Sequence, residues 1–137
     1  MRIWYDACTG KHVRYGAAIA KDLRNFGHEV VLTTRAHPDT VALARILGEN
    51  PVVVGKYSPA SLLSRVRESA ERILKFSKLF ADNIPDIAIS SQSVEVCRFA
   101  FGLNIQSILT ADTPHAVAVN RLTVPLANLL VTSESIP

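Results

Sequence analysis

The feature that most constrains this chain is the alternation, from end to end, of short apolar runs with segments of helical period. Strand-like runs stand at residues 2–5, 29–33, 51–54, 86–90, 104–109 and 128–132. Between them lie helix-like segments at 12–26, from about 38–40 to Gly48, 58–81, 94–101 and 115–126. In the first helix Val13, Ala17, Ala20 and Leu23 recur at helical spacing. Gly27 follows it at the position where a left-handed residue ends many helices. Ser58-Pro59, a hydroxyl followed by proline, reads as the start of the long third helix. Leu62, Val66, Ser69, Ile73, Phe76 and Phe80 track one face of that helix. Glu68–Arg72 and Glu71–Lys75 read as i, i+4 ion pairs on a solvated face, and the helical arginines read as solvated.

Helices that alternate with strands carry the chain back across a sheet, which forces parallel pairing. Runs that are apolar throughout, rather than every second residue, fit strands covered on both faces. The expected fold is therefore α/β: a Rossmann-like three-layer α/β/α sandwich over 1–137, with a six-stranded parallel sheet. Three strands, a long crossover helix and three more strands fit the order 3-2-1-4-5-6.

Composition narrows the function classes. In 137 residues, 48% are hydrophobic and 20% charged, which suits one folded domain rather than a disordered tail. No apolar run approaches the roughly 18 to 20 residues that cross a bilayer, and the N-terminus reads as a strand rather than a secretion signal. A cytoplasmic protein is expected. Cys8 and Cys97 read as free thiols rather than a disulfide framework. The net charge of +3 and the pI of about 9.1 favour anionic ligands mildly. No basic block with interleaved aromatics points to nucleic acid.

In a sheet of this order ligands bind at the carboxyl ends of the strands, near the switch between strands 1 and 4. The loops there are dense in polar groups: Asp6, Cys8, Thr9, Gly10, Lys11 and His12 after strand 1; Ser90, Ser91, Gln92 and Ser93 after strand 4; Asp112, Thr113 and His115 after strand 5; Ser133 and Glu134 after strand 6. Two strand spacings would separate Asp6 from Asp112 by about 9 to 10 Å. Ser91 would lie between them at a helix N-terminus, a place suited to a phosphate or a sugar hydroxyl. Gly10-Lys11 is not the end of a P-loop, because Tyr5 stands where its first glycine belongs and His12 where it needs Ser or Thr. The dinucleotide fingerprint also fails, with Gly10 alone in the first loop.

His12 and His115, each at a helix start, are the candidate general bases, with Asp112 to orient an imidazole. Asp6, Thr9, Gly10, Ser90, Ser91, Thr113, Asn120, Ser133 and Glu134 are candidate ligand contacts. Joining both histidines with Asp6 and Asp112 as a metal set is the weaker reading, and neither metal nor cofactor is assigned. Nothing in the sequence marks Cys8 as an activated nucleophile. His28 and His37 read as structural.

At these loops the chain resembles an uncharacterised archaeal and bacterial family related to GT-B glycosyltransferases and to UDP-N-acetylglucosamine 2-epimerase. The residues that carry the resemblance are Asp6 and His12-Val13, then Gly27-His28-Glu29-Val30, then Pro85-Asp86-Ile87-Ala88-Ile89-Ser90. The most specific is the stretch 112–123, Asp-Thr-Pro-His-Ala-Val-Ala-Val-Asn-Arg-Leu-Thr. Within it Pro114 replaces an acidic residue usual in the family; in the epimerase relatives a glutamate of the corresponding region belongs to the active site. Such relatives have two Rossmann-like domains, the second holding most of the sugar-nucleotide donor site. The resemblance implies an acceptor-side domain. Its expected partners are a donor-binding C-terminal domain or separate chain, and a sugar or phosphorylated acceptor. The alternatives are a non-catalytic phosphate- or nucleotide-sugar-binding module, or an inactive domain that forms a homodimer through a bare apolar face.

Overall fold

Six strands pair in parallel in the order β3-β2-β1-β4-β5-β6, as the alternation predicts. In this computed structural model, which describes residues 1–57 and 60–136, the strands are β1 (Arg2–Ala7), β2 (Glu29–Ala36), β3 (Val52–Lys56), β4 (Ile87–Ser91), β5 (Gln106–Ala111) and β6 (Leu129–Thr132). The helices are α1 (Gly10–Asn25), α2 (Val41–Ile46), α3 (Leu62–Leu79), α4 (Val94–Gly102) and α5 (Val117–Thr123), with a 3-10 turn over Val124–Leu126. The last helix, expected over 115–126, is instead an α-helix over Val117–Thr123 that passes into the 3-10 turn. The 3-10 turn has Pro125 in its first positions, where the ring's missing N–H removes an α-helical bond.

Successive residues of β1 point to opposite faces and so seed two cores. Ile3, Tyr5 and Ala7 pack with Val13 of α1 and Ala44 of α2. Trp4 packs with Phe76 of α3, Phe80, and Val96 and Phe99 of α4. The Trp4 ring lies 4.6 Å from Phe76, 4.8 Å from Phe80 and 5.8 Å from Phe99, centroid to centroid. Such aromatic pairs each add about 0.5–1.5 kcal/mol beyond the area they bury.

The long helix departs from its sequence reading in two ways. Its cap is Ser61, whose hydroxyl accepts from the Ser64 amide while the Ser64 hydroxyl accepts from the Ser61 amide. Ser58 and Pro59, read as the helix start, lie outside the described residues. Leu62 and Val66, placed by periodicity on the buried face, are exposed. The buried side of α3 is set by Arg72 and Phe76, the residues that reach the sheet.

Two glycines are required by packing. An ideal Cβ on Gly16 would sit 2.7 Å from Cε1 of the Tyr5 ring, so at this point α1 has no room for a side chain. Gly55 has φ +73, and a Cβ there would lie 2.4 Å from Cγ of Arg72. Gly16→Ala should therefore cost about 1–3 kcal/mol by overpacking. Gly27→Ala, at φ +83 with nothing within 4 Å, should cost only about 1 kcal/mol of backbone strain. Urea denaturation midpoints check the order; equal losses would contradict the close approach of α1 to β1.

Candidate functional site

The site begins with a buried ion pair at the carboxyl end of β1. Arg72 reaches from α3 under Gly55 and places its two terminal nitrogens on Asp6, Nη2 to Oδ1 at 2.7 Å and Nη1 to Oδ2 at 3.2 Å. Its Nε donates to the Val54 carbonyl at 2.8 Å. Asp6 also accepts from the Thr33 hydroxyl (2.7 Å), the Cys8 thiol (3.2 Å) and the Ser93 hydroxyl (3.3 Å). The Thr33 hydroxyl in turn accepts from Trp4 Nε1 at 2.8 Å. Glu95 approaches Arg72 Nη1 at 3.8 Å.

Burial alone would raise the Asp6 pKa, but the Arg72 charge and the hydrogen bonds from Arg72, Thr33 and Cys8 outweigh it and hold Asp6 below its ordinary value. Burial likewise opposes the charge on Arg72, yet Asp6 keeps it firmly protonated. The Cys8 thiol is pushed up to about 12, by burial first and then by Asp6, so it is no nucleophile at neutral pH. Cys8 and Cys97 are both free.

Two sequence readings are corrected here. Arg72 is not solvated and does not pair with Glu68. It is buried against Asp6, while Glu68 pairs with Lys56 at 3.5 Å. Ser93, not Ser91, caps α4, its hydroxyl accepting from the Val96 amide. Ser91 ends β4, where its hydroxyl meets that of Thr110 at 2.6 Å.

Above this pair the loops enclose a cleft of about 440 Å³. Thr9, Lys11 and His12 line it from the start of α1, Ser91, Gln92 and Ser93 from the end of β4, and Asp112 and Thr113 from the end of β5. Thr9 caps α1, its hydroxyl accepting from the His12 amide. Lys11 and Asp112 form an ion pair across the cleft, and the Thr113 hydroxyl donates to the same carboxylate at 2.9 Å. Hydrogen bonds from Lys11 and then Thr113 lower the Asp112 pKa. The His12 pKa is lowered by burial and then by the Lys11 charge. A lowered imidazole pKa leaves the ring neutral at pH 7, in the form that can accept a proton. His12 Nδ1 is enclosed and has no hydrogen-bond partner among the described residues, so Asp112 does not orient it.

Of the residues the sequence singles out, the cleft brings together His12, Asp112, Thr9, Ser91 and Thr113. The others lie elsewhere. His115 is exposed and does not line it. Asp6 and Ser90 are buried beneath it. Gly10 is the first residue of α1. Asn120 braces the 113–116 loop, its amide donating to the carbonyls of Thr113 and Pro114 (both 3.1 Å) and its oxygen accepting from Gln92. Ser133 lines an adjoining groove of about 340 Å³ with Tyr15 and Val131, which shares Ser91 and Asp112 with the cleft, and the Glu134 side chain is exposed. Gln92, Ser93 and Arg35 line the cleft without having been singled out as site residues. Arg72 was missed altogether, although one cue existed: it falls at i−4 and i−8 from Phe76 and Phe80, a charge set in an apolar stripe.

The fold is Rossmann-like and matches that of domains in GT-B glycosyltransferases and in UDP-N-acetylglucosamine 2-epimerase. UDP-N-acetylglucosamine 2-epimerase superposes with a TM-score of 0.80 at 13% identity, over 96% of this chain and 41% of that one. The spinosyn rhamnosyltransferase SpnG superposes with a TM-score of 0.72 at 14% identity, over 100% and 48%. By sequence, the chain belongs to the family described as "Protein of unknown function (DUF354)", whose pattern matches residues 1–137. It is 34% identical over 129 residues to the uncharacterized protein MJ0665 of Methanocaldococcus jannaschii, spanning 94% of this chain but 38% of that relative. No helix among the described residues is long and apolar enough to cross a membrane.

Replacing one partner of the buried pair leaves the other charge uncompensated, so Arg72→Met should destabilise by about 3–5 kcal/mol. Asp6→Asn with Arg72→Met should recover part of that loss. The depressed Asp6 pKa also fixes a pH dependence. Below its ordinary value of 3.8 the unfolded chain takes up a proton that the folded Asp6 refuses, so stability falls as pH drops through that range. Chemical denaturation from pH 7 to pH 2.5 checks it; an Asp6→Asn variant with the same acid slope as the parent would refute the assignment.

Proposed function

We propose that this chain is the acceptor-side domain of a GT-B-type enzyme that transfers or rearranges sugars, and that a second domain or a separate chain supplies the donor site. The supporting observation is the cleft at the carboxyl edge, where a neutral imidazole, several hydroxyls and a Lys11–Asp112 pair converge. Such a lining suits a polyhydroxylated ligand: Ser91, Ser93 and Thr113 can each donate and accept. His12 is the general base of this reading, taking the proton of an attacking acceptor hydroxyl. Asp112 binds and positions through Lys11 and Thr113 rather than through the imidazole. His115, outside the cleft, takes no part. Relatives and structural neighbours extend well beyond the length matched here, which is consistent with a donor site on further polypeptide.

A loose cleft without a donor domain should bind a neutral sugar only weakly. Titration calorimetry with N-acetylglucosamine at millimolar concentration is expected to show His12→Ala and Asp112→Ala weakened at least about fivefold, on the scale of one or two lost hydrogen bonds. His115→Ala should match the parent. Equal binding by the His12 and Asp112 variants, with circular dichroism unchanged, would reject this cleft as the acceptor site.

A further inference from the structure

Beside the cleft lies a second cavity of about 250 Å³, lined in part by Arg35 at the end of β2, Lys56 at the end of β3, and Arg65, Ser69 and Arg72 of α3. Arg35, Ser69 and Glu95 line both spaces, so the two adjoin. Four cations (Arg35, Lys56, Arg65, Arg72) face two carboxylates (Glu68, Glu95), a net charge of +2 for the lining. Asp6, behind Arg72, reduces this to +1.

Arg35 is the unusual member. Its Nε donates to the Cys8 carbonyl at 3.2 Å. Its guanidinium carbon stands 4.8 Å from the centre of the Tyr57 ring. The Tyr57 ring is in turn 5.0 Å from that of His37, and the Tyr57 amide donates to the Ala36 carbonyl at 3.0 Å. The group is thus held at two points and partly buried, yet only one of its five N–H donors is used among the described residues. No carboxylate of the described residues lies within 4.0 Å of it, in contrast to Arg72, Arg24, Lys11 and Lys56, each of which has an acidic partner. Arg65 also has none among the described residues. Arg65, Ser69 and Arg72 stand at i, i+4 and i+7 on one side of α3.

We propose that Arg35, Arg65 and Lys56 form a phosphate subsite beside the cleft, so that the acceptor is a phosphorylated sugar with its hydroxyl at His12 and its phosphate at Arg35. What the phosphate is attached to rests on the acceptor reading above; the subsite itself does not. The free fork of an arginine matches two oxygens of a phosphate. Cations from three different elements suit a tetrahedral group better than a planar carboxylate, whose two oxygens one fork already satisfies. The cavity has the volume of about eight water molecules at roughly 30 Å³ each, room for a phosphate with part of its shell.

Inorganic phosphate tests the subsite alone, and N-acetylglucosamine tests the cleft alone. Amide and arginine Nε–Hε shifts would be followed while the chain is titrated with inorganic phosphate, glucose 6-phosphate, glucuronate and glucose. Inorganic phosphate is expected to shift Arg35 Nε–Hε and the Ser69 and Tyr57 amides, and to bind more weakly as salt is raised. Arg35→Gln should weaken it at least about tenfold, Arg65→Gln by less. Arg35→Lys should restore only part of the loss, and Lys21→Gln, on the exposed side of α1 away from the cavity, should cause none. His12→Ala should leave inorganic phosphate binding intact even if the cleft reading fails. Phosphate binding unchanged in Arg35→Gln, no shift at all with phosphate, or glucuronate binding as tightly as glucose 6-phosphate would each overturn the assignment.

Discussion

The Asp6–Arg72 ion pair is the contact on which the carboxyl edge of this sheet depends. Arg72 belongs to the crossover helix, the element that carries the chain from β3 across to β4. Its bonds to Asp6 in β1 and to Val54 in β3 fix where that helix lies over the sheet. A buried pair of this kind is poor evidence for stability, since desolvating two charges offsets much of their attraction. Its effect is positional: Arg72 bonds Asp6 and the Val54 carbonyl at once, and so joins α3 to both β1 and β3. Gly55 is part of the same constraint, because any Cβ there would occupy the path of the Arg72 side chain.

From that pair the geometry of the site follows outward. Asp6 accepts from Cys8 in the first loop and from Ser93 at the start of α4, so the two walls of the cleft are anchored to one carboxylate. The third wall, after β5, is joined to the first by Lys11 and Asp112 at the surface, where an exposed pair contributes little to stability. The charges are sorted by depth. The buried ones are matched, whereas Arg35, one layer out, has hydrogen-bond donors to spare. A cleft of hydroxyls and a neutral imidazole, with an unmatched guanidinium at its side, is what a ligand with both hydroxyls and a phosphate would fill.

The sheet was legible in the sequence because its signal is repeated: six apolar runs alternating with helical segments require parallel pairing, and a long crossover helix after the third run fits the order 3-2-1-4-5-6. The site was legible only as a set of loops. Strand register brings Asp6 level with Ser90 and Ser91 level with Thr110, which loop membership alone anticipates. Which side chain turns inward is decided by tertiary contacts. His12 lies in the first turn of a long helix packed on β1 and faces the cleft, whereas His115 lies in a loop braced from behind by Asn120. Arg72 was hidden for a different reason. In sequence it completes an i, i+4 pair with Glu68 as well as any surface arginine, and local spacing carries no trace of a partner 66 residues away.

The proposed acceptor site is the carboxyl-edge cleft with Arg35 beside it. The most direct measurement is a backbone amide-shift map of the chain with N-acetylglucosamine 1-phosphate, set against the same map with UDP. The sugar phosphate should shift residues 8–12, 35, 69, 91–95 and 112–116 together, with UDP shifting them less at equal concentration. Shifts confined to the apolar groove by β6, or UDP binding more tightly than the sugar phosphate, would contradict it.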